Sequence, residues 1–150
     1  MITQLDILKA ITTELKKIKN IPVYLDDIKE GFGDEAFFLK AIGKRTQINR
    51  YLNNNTVNIY ITYVKAKNNI TAAELYSLKD LIVDTFYTGL FVKTETETRH
   101  INFNAITAEV LGQDGDILEI RLPAFYMDAI KNNDDNLDKM SYLQTKYIYE

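Results

Sequence analysis

Chemistry in this chain would have to come from very few places. The single histidine, His100, precedes the apolar run INFNAI, with Glu95, Glu97 and Arg99 close in sequence. A general base needs a substrate proton within reach and a partner that orients its ring. The alternative is a solvated histidine at the start of a strand, the commoner situation, and it is the expected one here. Acidic residues come as Asp26-Asp27, Asp34-Glu35, Asp114/Asp116 and Asp134-Asp135. Hard cations want several oxygens converging from one loop, and DDIKEGFGDE lacks the spacing of an EF-hand. These pairs read as solvated loops rather than a metal site. The GFG at 31–33 lacks the spacing of a phosphate loop, and no helix start follows it. Either Phe32 folds back onto a sheet, or two glycines present it to a partner, since aromatics are enriched at interface hot spots. With no cysteine, thiolate chemistry, zinc–cysteine sites and disulfides are excluded. No nucleophile elbow, zinc signature or kinase signature occurs. The expectation is a protein that is not an enzyme and needs no cofactor and no metal.

Lys44, Arg45 and Arg50, with Lys65 and Lys67 beyond, are interleaved with Tyr51 and Tyr60. That mixture could hold a single nucleic-acid strand. The net charge of −3 argues against it, because phosphate affinity comes from cationic side chains. A nucleic-acid-binding module is therefore the minority reading. No apolar run approaches the ~20 residues that cross a bilayer. The first residues, MITQLDILKA, lack the basic and apolar regions of a signal peptide, so no membrane role and a cytoplasmic site of synthesis are expected.

The elements that must position these residues form an α+β pattern. A length of 150 residues suggests one domain, able to bury roughly 68–70% of the surface its unfolded chain exposes. Thr3 and Asp6 predict a capping box, and Ile2 and Ile7 a hydrophobic staple. Ile7, Ile11, Leu15 and Ile18 recur at helical spacing until Asn20 and Pro22 end the helix. IPVYL predicts a short edge strand, since proline cannot donate to a ladder. Residues 35–64 predict a long antiparallel hairpin, with Asn53, Asn54 and Asn55 as its turn and Val57, Ile59, Ile61 and Tyr63 on one face. Thr71 and Glu74 predict a second capping box, Ile70 and Leu75 its staple, Leu75, Leu78, Ile82 and Phe86 a buried stripe, and Gly89 a stop. LFVKT, 99–112 and 116–127 predict three more strands. The apolar phase of 99–112 switches near Ala105–Ile106, which predicts a β-bulge, and Asp114-Gly115 predicts a hairpin turn. Residues 1–130 would be the domain and 131–150 a C-terminal arm.

Several phrases of the chain resemble a known family. They are the ITQLDILKAI helix, IPVYLDDIKEGFGDEAFFLKAI, the strand VNIYITYV, the helix AAELYSLKDLIVDTF, and INFNAITAEVLGQDGDILEIRLPAFY. Together they are similar to the tail terminator, or tail-completion, proteins of phages, prophages and phage-tail-like particles of Gram-positive bacteria. EGFGDEAFFL is the most specific phrase, with Ala36 where proline is expected. The resemblance implies a mainly antiparallel sheet with two principal helices packed on it. It implies a structural role in a ring, six-fold on the tail, that caps the head-proximal end of the tail tube and offers a joining surface to the head. The implied partners are copies of the chain itself, tube and sheath proteins, and head–tail connectors, with DNA passing through the ring. A neck connector is the related alternative. The candidate interface is Glu30, Gly31, Phe32 and Gly33 on the glycine loop, Arg45 and Arg50 on the hairpin, and Tyr142 and Tyr147 on the arm.

Overall fold

Helix α1 (Gln4–Ile18) begins where its capping pair directs. The Thr3 hydroxyl accepts from the Asp6 N–H at 3.2 Å, and the Asp6 carboxylate accepts from the Thr3 N–H at 2.9 Å. A cap of this kind is worth about 1 kcal/mol. The Thr3 backbone and hydroxyl bonds hold the Asp6 carboxyl below its ordinary pKa. Ile2 and Ile7 are fully buried as the two halves of the staple, and Ile11 and Leu15 continue the stripe. Helix α2 (Ala72–Tyr87) buries Leu75, Leu78, Ile82 and Phe86. Its C-terminal end is set by Gly89, at φ +92°, whose N–H donates to the Phe86 carbonyl at 3.0 Å. That left-handed conformation suits glycine, and a Cβ there would meet the Ile101 carbonyl at 2.6 Å.

The computed structural model describes residues 2–25, 35–65, 72–111 and 117–130. Its strands are β1 (Val23–Tyr24), β2 (Glu35–Gln47), β3 (Leu52–Lys65), β4 (Leu90–Lys93), β5 (Thr98–Ile101), β6 (Thr107–Leu111) and β7 (Ile117–Ala129). Five make one sheet in the order β1-β2-β3-β7-β6, antiparallel except for β1 beside β2, and β4-β5 make a separate ribbon. This is the expected α+β class. Pro22 sits just before the edge strand, and its carbonyl accepts from the Phe37 N–H at 3.0 Å. The pleat puts Phe37, Leu39, Val57, Ile59, Ile61, Tyr63, Leu118, Ile120 and Leu122 on one face. Both helices and the ribbon's Leu90, Val92 and Ile101 complete a single core with them.

Two expectations need correction. The hairpin does not turn at Asn53–Asn55; those residues lie in β3, opposite Gln47, Thr46 and Arg45. It reverses over 48–51, where the Asn49 side chain accepts from the N–H groups of Tyr51 (2.8 Å) and Leu52 (3.0 Å). One asparagine mimics a backbone turn, which frees Asn53 and Asn55 to face inward beside Asp128 and Tyr126 of β7. The 99–112 segment is likewise not one bulged strand. β5 pairs with the ribbon, Phe103 bridges to Ala124, and β6 then joins the main sheet. The phase switch marks a change of sheet: Ile101 pairs in the ribbon while Ala108 and Val110 pair with β7 in the main sheet, and all three pack into the one core. Thr71, Ile70 and the Asp114-Gly115 turn lie outside the described residues.

Candidate assembly surface

The two halves of β2 are built differently. Ala36, Phe37, Phe38 and Leu39 are buried in succession, so both faces of the sheet are covered there. Ala36, Phe38 and Val64 form a second small cluster on the face away from the helices, and Tyr24 stacks on Phe38 at 5.4 Å. From Ile42 to Gln47 every residue is exposed. The register carries this open face across three strands. Ile42 lies opposite Asn58 and Pro123, Lys44 opposite Thr56 and Phe125, and Thr46 opposite Asn54 and Met127. Ile42 is 52% exposed, Met127 48% and Phe125 45%. At the hairpin tip Ile48, Tyr51 and Leu52 are exposed as well, and the Arg50 guanidinium lies over the Tyr51 ring at 5.7 Å. Burying such a side chain fully is worth about 1.5–3 kcal/mol each, so a set of them on one face is a candidate interaction surface.

A second set of exposed apolar side chains sits elsewhere, on α2 and the ribbon: Tyr76, Leu81, Tyr87 and Phe91. Phe91 flanks a groove of about 260 Å³ between α1 and β4, whose charged lining is Asp6, Lys9, Glu14 and Lys93.

Two polar networks hold the frame. Lys19, one residue past α1, pairs with Glu35 at 2.8 Å and donates to the Tyr63 hydroxyl at 3.2 Å, while that hydroxyl donates to Glu35. Burial, then the bond to Glu35, pushes the Tyr63 phenol up to about 12. Burial alone would raise Glu35 and lower Lys19, but their mutual bonds outweigh it: Glu35 is held below its ordinary value and Lys19 above. At the other end, buried Asp128 accepts the Ile2 N–H at 3.1 Å and pairs with Arg99 at 3.4 Å. Arg99 also lies over the Tyr126 ring at 5.4 Å and donates to the Met127 carbonyl. The start of the chain is thereby tied to its last described strand.

Of the candidate interface residues, Glu30, Gly31, Phe32, Gly33, Tyr142 and Tyr147 lie outside the described residues. Arg45 and Arg50 are not brought together. Arg45 faces the helix side and donates from Nε to Asn55 Oδ1 at 2.9 Å, whereas Arg50 is in the turn. Lys44 and Arg45 point to opposite faces. Lys65 pairs with Glu35, ten residues from Arg45 along the hairpin, roughly 34 Å at the usual strand rise. Among the described residues the basic side chains therefore form no continuous track. His100 is exposed but engaged: its Nε2 is 2.8 Å from the Thr88 carbonyl, and its ring lies 4.6 Å from Phe91. That placement packs it over the Gly89 turn. Among the described residues no three His, Asp or Glu side chains converge as metal ligands. Sequence reasoning missed Ile42, Phe125 and Met127. Their one signal was an apolar residue on the polar phase of its strand.

Comparison with known proteins agrees with this architecture. A family described as phage tail terminator protein matches residues 6–136. Among solved structures, a chain from the virion of a native gene transfer agent particle superposes with a TM-score of 0.50 at 11% identity, covering 81% of this chain and 93% of that one. At that identity the likeness is one of fold. No curated protein matches the chain. With the family matching nearly the whole described length, the chain belongs to the phage tail terminator family.

Proposed function

We propose that this protein forms a ring on the head-proximal end of a tail tube, ends tube polymerisation there and offers the surface to which the head joins. The observation that carries this reading is the open outer half of the β2–β3 hairpin, with Ile42, Phe125 and Met127 exposed on one face. Exposed apolar side chains on α2 and the ribbon, among them Tyr76, Tyr87 and Phe91, offer candidates for an opposing, unlike surface. Contacts between unlike surfaces are heterologous, and they generate a closed ring when the rotation between copies closes. Six copies, matching a six-fold tail, and assembly in the bacterial cytoplasm belong to the same proposal. So do a contractile parent particle, tube, sheath and connector partners, and an arm at 131–150 that reaches a neighbour. A cap working by shape needs no catalytic group, consistent with a family of structural tail proteins.

The test is removal of the gene. Tube protein should still fold and polymerise, and electron microscopy should show headless tails of irregular or excessive length. Tails of normal length that merely lack heads would overturn the terminator reading in favour of a neck connector.

A further inference from the structure

A pocket of about 250 Å³ lies where the first residue of α1 meets the hairpin, lined by Gln4, Gly43, Lys44, Arg45, Asn55, Val57 and Tyr126. Gly43 admits the Gln4 side chain to its wall: a Cβ there would lie 1.8 Å from Gln4 Nε2. Asn55 is 4% exposed, and the Arg45 Nε–H fixes its amide orientation by donating to Oδ1. The other amide atom, Asn55 Nδ2, is therefore a donor, and it is buried with no acceptor among the described residues. Leaving a buried donor unpaired is costly, so its position in the pocket wall calls for an acceptor. Among the described residues no carboxylate lines the pocket. The groups around it are mainly donors: the Arg45 guanidinium with its terminal nitrogens, the Gln4 amide, and the positive end of the 15-residue α1.

We infer that this pocket binds a carboxylate, which the Arg45 guanidinium and Asn55 Nδ2 hold between them. One guanidinium and one amide donor match the two in-plane oxygens of a carboxylate. Arg45 is exposed and can shift with its ligand, which opens the path to Asn55. The carboxylate comes from an acidic side chain of a docking protein, because the pocket opens on the helix-side face of the outer half of β2, where Gly43, Lys44 and Arg45 are all exposed. The site stands on its own geometry; only the source of the carboxylate rests on the proposed assembly.

The full-length chain is titrated with sodium acetate, with sodium chloride and with sodium phosphate at matched ionic strength, and the Asn55 side-chain amide is followed by NMR. Acetate should produce a saturable shift that chloride does not. Arg45→Gln should weaken acetate binding about tenfold or more, the loss of one charge-assisted hydrogen bond. A shift that chloride reproduces, tighter binding of phosphate than acetate, or an unchanged acetate affinity in Arg45→Gln would overturn the site. Arg45→Gln particles should also assemble poorly. Normal assembly by a variant that has lost acetate binding would overturn the protein source of the carboxylate while leaving the pocket intact.

Discussion

The inner and outer halves of the β2–β3 hairpin share one ladder and one pair of strands, yet they do different work. In the inner half, Phe37 packs against Tyr63 at 5.5 Å beneath the helices, and Phe38 stacks with Tyr24 on the opposite face. In the outer half the same strand carries Ile42, Lys44 and Thr46 into open surface. Equal backbone pairing with unequal burial shows that the ladder sets the length of the hairpin, while the layers around it set which part is core. The inner half specifies the fold. The outer half keeps Asn55, Val57 and Tyr126 buried on the helix side and leaves the other face of the sheet open, which fits the proposed assembly surface.

Substitutions can break this comparison. Phe37→Ala should cost about 3–5 kcal/mol, the usual penalty for emptying a buried aromatic site, while Phe125→Ala on the open face should stay within about 0.5 kcal/mol. Urea denaturation measures both. Equal losses would mean the outer half is core after all. Phe125→Ala should instead weaken incorporation into particles.

Asp128 sharpens the picture, because it is the point where the outer half does serve the fold. Asp128→Ala leaves the Ile2 N–H without its acceptor and Arg99 without its partner, and should cost about 1–3 kcal/mol. An unchanged thermal midpoint would show that the start of the chain is held by the Ile2 and Ile7 packing alone.

The smallest effect belongs to the partly exposed Lys19–Glu35–Tyr63 network, which solvent screens. Glu35 is depressed in the folded state, so its stabilisation is present above its ordinary value of 4.5 and is lost as pH falls through the lower folded value. Lys19 and Tyr63 are raised, so their contribution is present below their ordinary values and is lost as pH rises, for Tyr63 through about 12. Wild type should therefore exceed Glu35→Gln in stability at pH 7 and lose that advantage below pH 4.5. A difference that persists unchanged at pH 3 would show that Glu35 acts by packing rather than by charge.

Both helices were legible because their signals are local. The Thr3–Asp6 cap, the 3.6-residue stripe through Ile7, Ile11 and Leu15, and the Gly89 stop each act within one or two turns. The hairpin was legible for the same reason in its alternating Val57-to-Tyr63 run. Its turn was not, because four asparagines competed, and which one turns depends on what Asn53 and Asn55 meet on β7. The chain from His100 to Leu111 reads as one strand until the ribbon and the main sheet are both present to divide it.

The amino-acid sequence by itself determined the α+β class, the element types, most of the core stripes and the family, since these rest on periodicity, caps and characteristic phrases. Only the tertiary structure decided that Ile42, Phe125 and Met127 share one open face, that Asp128 ties the chain's start to β7, and that Arg45, Asn55 and Gln4 line one pocket. Each of those juxtapositions joins residues distant along the chain through strand register and layer packing. Register depends on every pair in the ladder together, so no local stretch encodes it.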